Sequence, residues 1–187
     1  LLNYDMIVAR TPTATDSQLT DVDDLLESDA VAAHAPVHYE SVSREGGANQ
    51  DRQDITLLVP QDDAALCDYV LLNDRTSGAT LALPDEGAVI SERLASLLGL
   101  QVGDTLDFTA ADGGARSTTV AGITEMYMGH FMFMSREAYE ACYGADFSSN
   151  ADLVRLCDGS TTSVEDESAR FMDLAGVRGV VQNTALE

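Results

Sequence analysis

The two ends of the chain repeat one order of elements, strand then helix then strand, and no other feature restricts the fold as much. Residues 4–10 (YDMIVAR) alternate and are largely apolar, which reads as a strand closed by Pro12 and the Thr/Asp cluster after it. Asp16 then reads as the N-cap of a helix with Leu19, Val22, Leu25 and Leu26 along one face. Asp21, Asp23, Asp24 and Glu27 fall mostly on the other. Residues 31–44 are extended, with Val31, Ala33, Val37 and Tyr39 in alternating register and Pro36 marking an edge or a bulge. A turn over 45–53 (EGGANQDRQ) leads into a strand over 55–59. At the other end, residues 152–157 (DLVRLC) read as a strand and 158–162 as a polar loop. Ser163 is the expected N-cap of a helix burying Val164, Phe171, Leu174 and Ala175, with Gly176 as its stop and a last strand over 177–182. The spacing predicts an α+β fold in which residues 1–59 and 151–187 form a split ferredoxin-like unit.

The middle, residues 60–150, reads as an inserted β-rich subdomain with two short helices. Short strands are expected over 69–72 and 88–90. A helix over 91–98 is capped by Ser91, turns Leu94, Leu97 and Leu98 inward and stops at Gly99. The turn at Val102-Gly103-Asp104 opens a strand with Leu106 and Phe108 on one face. Asp112-Gly113-Gly114 makes a hairpin loop, and 117–124 returns. A second helix starts at Ser135, carries Ala138, Tyr139, Cys142 and Tyr143, and ends at Gly144.

Composition excludes whole classes of chemistry. The formal net charge is −22, from 32 acidic and 10 basic residues, and all ten bases are arginine. Without lysine there is no P-loop lysine, no Schiff base and no Ser-x-x-Lys acylase. Phosphate backbones and anionic headgroups are repelled by such a surface, so neither nucleic acid nor an acidic membrane face is expected as a partner. No apolar run approaches the ~18 residues needed to cross a bilayer. The opening Leu1-Leu2-Asn3 has no initiator Met, basic region or apolar leader, and is expected to be the start of a piece of a longer protein with its membrane segments outside. Cys67, Cys142 and Cys157 are far apart and lack C-x-x-C spacing, which argues against a zinc knuckle or a thioredoxin-like motif.

Residues that could carry a reaction are sparse. The run 125–134 reads EMYMGHFMFM. On one continuous strand Met126, Met128, His130, Met132 and Met134 would share a face, and thioethers with an imidazole suit Cu(I). The alternative is a strand buried on both sides, Phe131 and Phe133 on one face and Met132 and Met134 on the other, with Gly129 breaking the run. His34 and His38 fall on one face of a strand, without an obvious third ligand. Asp158, Ser160 and Thr162 have the odd spacing of a calcium loop, but Ser163 and Ala169 stand where its Gly and Glu belong. Ser91 lies outside any G-x-S-x-G elbow. Acid pairs such as Asp62/Asp63 and Asp85/Glu86 are uninformative in so acidic a chain. No catalytic, cofactor or metal residue is assigned, and a non-enzymatic role is expected.

Residues 87–108 (GAVISERLASLLGLQVGDTLDF) are more specific than composition. Thr119-Val120-Ala121-Gly122-Ile123, the methionine run and Ser135-Arg136-Glu137-Ala138-Tyr139 follow them. This order resembles the extracytoplasmic domain of FtsX-like permeases of the MacB type, the membrane subunits of certain ABC transporters. In that family a strand delivers a "vvIS" turn, followed by an "LA..LGL" helix, a "VGDTL" strand opening and a "V.GI" strand. The opening NYDMIV and the closing GVRGVVQN are also similar to that family's first strand and last helix–strand junction. The resemblance implies a MacB-like core domain on the extracytoplasmic side of the cell membrane, built from a porter-like α/β unit and a β-rich insert. It implies a place between two transmembrane helices of the same permease, with an ATP-binding subunit in the cytoplasm. The role it implies is export or mechanical transmission, without catalysis and without a cofactor. A homo-oligomer or an extracytoplasmic protein partner is left open, and no partner-binding loop is carried over because the chain is shorter than the better-known domains. The alternative from another class is an extracellular binding module for cationic peptides or Cu(I).

Overall fold

The computed structural model describes residues 2–45 and 52–183. The elements in order are β1 (Met6–Arg10), α1 (Asp16–Leu26), β2 (Val31–Glu45), β3 (Arg52–Pro60), a 3₁₀ turn (Asp63–Asp68), β4 (Ala88–Ser91) and α2 (Glu92–Leu98). They continue with β5 (Thr105–Thr109), β6 (Ala115–Thr124), β7 (Phe131–Phe133), α3 (Arg136–Tyr143), β8 (Ala151–Leu156), α4 (Thr161–Met172) and β9 (Val177–Gln182). The fold is α+β. Among the described residues nine strands hydrogen-bond into one sheet in the order β3-β7-β4-β6-β5-β2-β8-β1-β9, and a further pairing of β3 with β2 closes six of them into a ring.

The fifteen-residue β2 belongs to both parts of this sheet. Its first half pairs antiparallel with β8, from Val31↔Leu156 to Val37↔Ala151. Its second half pairs antiparallel with β3, from Val37↔Pro60 to Glu45↔Arg52. Beyond β8 lie β1 and then β9, both antiparallel to their neighbours. The turn over 45–53 expected from the sequence lies largely outside the described residues.

Side-chain alternation assigns each strand to its layers. Along β1, Met6 and Val8 face α1 and α4, where they meet Val22, Leu26, Val164 and Phe171. Ile7 and Ala9 face the opposite side and pack with Leu153, Tyr69 and Phe133. The continuous apolar run MIVA is therefore a strand covered on both faces. A third core fills the ring, where Ile55, Leu57, Val59, Ile90, Leu106, Phe108 and Met132 converge. Burial of this kind is the main stabilising term, about 1.5–3 kcal/mol for each large side chain removed from water.

Several local expectations are corrected. Thr15, not Asp16, caps α1: its hydroxyl accepts from Gln18 N–H and the Gln18 side chain reaches back to Thr15 N–H, a reciprocal arrangement Asp16 has no partner for. Ser160, not Ser163, caps α4, because the hydroxyl that accepts from Ser163 N–H stands three residues earlier. Residues 69–72 form no strand. The chain winds into the 3₁₀ turn before them, and only an isolated bridge, Leu2↔Val70, remains. In α2 it is Ala95 that accompanies Leu94 into the ring, while Leu97 is 39% exposed. The helix follows β4 directly, so its inward face is set by the strand that delivers it.

Gly176 is also not the left-handed stop the sequence predicts, since α4 ends at Asp173 and Gly176 has no positive φ. It is a point of close approach. A Cβ there would sit 2.7 Å from the Gln18 carbonyl oxygen and 2.9 Å from Val22 Cγ2. The Gly176→Ala variant should lose about 1–3 kcal/mol in chemical denaturation. Gly179→Ala, whose Cβ would meet no atom within 4 Å, should lose little.

Candidate functional site

The methionine run is divided among different environments. Only Phe131–Phe133 is a strand, pairing parallel with β3 and antiparallel with β4. Met132 and Met134 are fully buried in the ring core, whereas Met126 packs in the cluster on the other side of the sheet. Met128 is 42% exposed. Gly129 has φ +76, a left-handed conformation that turns the chain between Met128 and His130. His130 is half-buried, and burial followed by the Arg93 charge pushes its pKa down. The five side chains offered as copper ligands thus share no face.

Ser91 explains how this run is held. Although it occupies the N-cap position of α2, its side chain makes no cap hydrogen bond. The buried Oγ donates to the Gly129 carbonyl oxygen at 3.2 Å and accepts from Phe131 N–H at 3.0 Å. It staples the turn before β7 onto β4. A serine followed by a helix reads as a cap, and only its burial within AVIS shows the different use.

The first of two histidine–carboxylate clusters joins β1, α1, β2 and β8. Asp152 lies in an apolar strand and is 3% exposed. Its Oδ2 accepts from Arg10 Nη1 at 2.6 Å, and its Oδ1 lies 3.3 Å from His34 Nδ1. His34 Nε2 is 2.8 Å from Glu27 Oε1 at the end of α1, and Arg10 Nη2 donates to Ser149 Oγ. Burial works against a charged His34, but the hydrogen bonds to Glu27 and Asp152 and their charges outweigh it, so its pKa is raised.

The second cluster lies one turn of the pleat further along β2. Glu40 Oε1 is 2.9 Å from His38 Nε2, while its Oε2 accepts from Tyr143 Oη at 2.8 Å and from Ala111 N–H at 3.0 Å. Burial pushes the Glu40 carboxyl up, but these three donors together pull it below its ordinary value. Tyr143 is pushed up, first by burial and then by its bond to Glu40. Tyr139 stacks between the His38 and Tyr143 rings at 4.8 and 4.5 Å, and the Arg116 guanidinium lies 5.0 Å over Tyr143. The cluster ties β2 to α3 and to the β5–β6 hairpin.

His34 and His38, expected on one face of a strand from their spacing, serve separate clusters. Among the described residues neither has a serine, threonine or cysteine hydroxyl or thiol among its hydrogen-bond partners, and two of the three neighbouring carboxylates, Asp152 and Glu40, also accept from other donors. Among the described residues no group of three or more His, Cys, Asp or Glu is arranged to hold a metal ion, and all three cysteines are free thiols. Asp152 and Glu40 were missed by sequence reasoning. The available signals were an acid inside the apolar run ADLV and an acid two positions beyond a strand histidine.

Two measurements follow from this geometry. Ser91→Ala should cost about 0.5–1.5 kcal/mol, because it removes both hydrogen bonds of the buried hydroxyl, to the Gly129 carbonyl oxygen and from Phe131 N–H. A raised histidine pKa stabilises the fold fully below the ordinary value of 6.5 and loses that contribution as pH rises through the folded value. The gap in thermal midpoint between the wild type and His34→Gln should therefore be widest in mild acid and narrow as pH rises. For Glu40, whose pKa is lowered, the sign reverses. The gap to Glu40→Gln should be widest above the ordinary 4.5 and narrow as pH falls through the lowered value.

No family model matches the sequence, and a search of curated proteins finds no match. Among solved structures the chain is similar to the extracellular domain of the noncanonic ABC-type transporter YknZ from Gram-positive bacteria. The identity is 16% and the TM-score 0.47, over 97% of this chain and 100% of that one. It is also similar to the periplasmic region of MacB from Actinobacillus actinomycetemcomitans, with 10% identity and a TM-score of 0.43 over 98% and 94% of the two chains. These two solved structures are extracellular or periplasmic domains of ABC-type transporter permeases.

Proposed function

We propose that the chain is a non-catalytic extracytoplasmic domain of an ABC transporter permease subunit, working in export or in mechanical transmission across the membrane through contacts with a partner or substrate. The observation that carries this reading is the use made of the ordered motif 87–124. Gly87 turns with φ +83 where a Cβ would meet the Thr119 carbonyl oxygen at 2.7 Å, and Gly99 closes α2 with φ +67. Leu94, Leu106, Phe108, Val120 and Ile123 are all buried. These residues turn and pack; none is presented to a substrate. A second support is a contact between early and late described residues. Asn183 N–H donates to the Asp5 carbonyl oxygen, and its side chain donates to those of Leu2 and Tyr4. Residues 2–5 and 183 therefore lie side by side, a spacing compatible with insertion between two neighbouring membrane helices.

Within this reading, β1, α1, β2, β8, α4 and β9 are the split ferredoxin-like, porter-like unit formed by residues 1–59 and 151–187. Residues 60–150 are the insert, and β3 is the strand through which the insert pairs back onto β2. At about 3.3 Å per residue β2 is roughly 50 Å long. A displacement at one end of such a strand moves both parts together. Its partners are the transmembrane helices of the same permease and, through them, a cytoplasmic ATP-binding subunit.

Intact cells expressing the full-length gene product provide the test. A membrane-impermeant maleimide should modify Cys67 and Cys157, both exposed, without cell lysis. The flanking sequence should hold an apolar run of ~20 residues on each side. Labelling only after lysis, or soluble flanks, ends the proposal.

A further inference from the structure

A groove of about 370 Å³ runs between the 3₁₀ turn and residues 80–83, with walls that include Ala64, Leu66, Cys67, Leu81, Ala82 and Leu83. Its walls are apolar and its rim is acidic. Asp63 lines the groove and accepts from Arg136 N–H. Asp85, two residues beyond Leu83, lies near Glu137 in the first turn of α3. The charge of Asp85 first, then hydrogen bonding with it, then burial and the charges of Asp63 and Glu140, push the Glu137 carboxyl above its ordinary value. These carboxylates crowd one another. Two arginines near the 3₁₀ turn and the start of α3 are engaged elsewhere, with Arg136 lying 5.1 Å over the Phe147 ring and Arg155 directed at the Asp68 carbonyl oxygen.

A ligand with only positive charge would relieve the repulsion and leave the leucine walls wet. A purely apolar one would bury the walls beside uncompensated acids. We propose that this groove binds a basic, amphipathic peptide segment of a partner protein, with its apolar side chains against Leu66, Leu81 and Leu83 and its cations on Asp63, Asp85 and Glu137. The charge complementarity is local to the rim and adds to the general attraction of a chain of net charge −22. The inference goes beyond the permease reading. It is measured on the chain alone, so either can fail without the other.

Cys67 lies in the groove and Cys157 outside it, and both are exposed, which supplies a probe with its own control. A short synthetic peptide alternating leucine and lysine should slow maleimide modification of Cys67 saturably, by about tenfold, and leave the Cys157 rate unchanged. The combined Asp63→Asn, Asp85→Asn and Glu137→Gln variant should lose the protection, and so should Ala82→Arg. Asp21→Asn, Asp24→Asn and Asp166→Asn together, an equal change in net charge elsewhere, should keep it. Far-UV circular dichroism and the thermal midpoint verify that each variant is folded. Equal protection by polylysine, or by the glutamate-for-lysine analogue, overturns the proposal, as does protection that survives the groove variants. Sedimentation of the chain alone as a dimer that Ala82→Arg dissociates would give the groove to a second copy and overturn it equally.

Discussion

The ladder of hydrogen bonds along β2 is the constraint on which everything else in the structure depends. Val37 is paired with Ala151 in one direction and with Pro60 in the other. A slip of one residue on either side would turn every core side chain of that half outward. The registers of the two halves are therefore locked to each other through one residue that is wholly buried. Asn150 reinforces the junction. Its side-chain oxygen accepts from Tyr39 N–H, its side-chain nitrogen donates to the Tyr39 carbonyl oxygen, and its own N–H donates to that of Val37.

The same strand organises the charge. His34 lies before the junction and His38 and Glu40 after it, so β2 supplies a member to each histidine–carboxylate cluster. In so acidic a chain, a carboxylate moved toward the interior needs donors, since an unpaired buried charge is far costlier than an unpaired exposed one. Asp152 has Arg10 and His34, and Glu40 has His38, Tyr143 and a backbone N–H. The remaining acids largely stay on the surface, where water and salt screen them. Many acids are compatible with a folded state because the two drawn inward have donors, while seven of the ten arginines stay exposed among the surface acids.

This arrangement suits a part that holds its shape under load. Strands β1, β3 and β7 are packed on both faces, and polar contacts link α1, α3 and the β5–β6 hairpin to β2. His34 and His38 are committed to neighbouring acids. The transmission role proposed above would need such stiffness more than a reactive group, and the groove beside the 3₁₀ turn is where the proposed partner would be engaged.

Much of the architecture was legible in the chain itself. Local rules act through neighbouring residues, so the alternation in YDMIVAR, the stop at Gly99, the hairpin at Asp112-Gly113-Gly114 and the Ser135 cap could be read directly, and the structure has each of them. The outward turn of Leu97 and the irregular path over 69–72 were not readable, because each is settled by what the segment packs against, whereas the Thr15 and Ser160 caps rest on hydrogen bonds only three residues long and were misplaced among neighbouring candidates of the same kind. The same holds for the chemistry. Composition alone ruled out lysine-dependent reactions and argued against an anionic partner. Whether the methionines converged, whether Ser91 capped a helix or stapled a turn, whether Gly176 stopped a helix or made room for Gln18, and which acids were buried were decided only by tertiary contacts. Those contacts join residues up to a hundred and more positions apart, and no local pattern in a sequence encodes such distances.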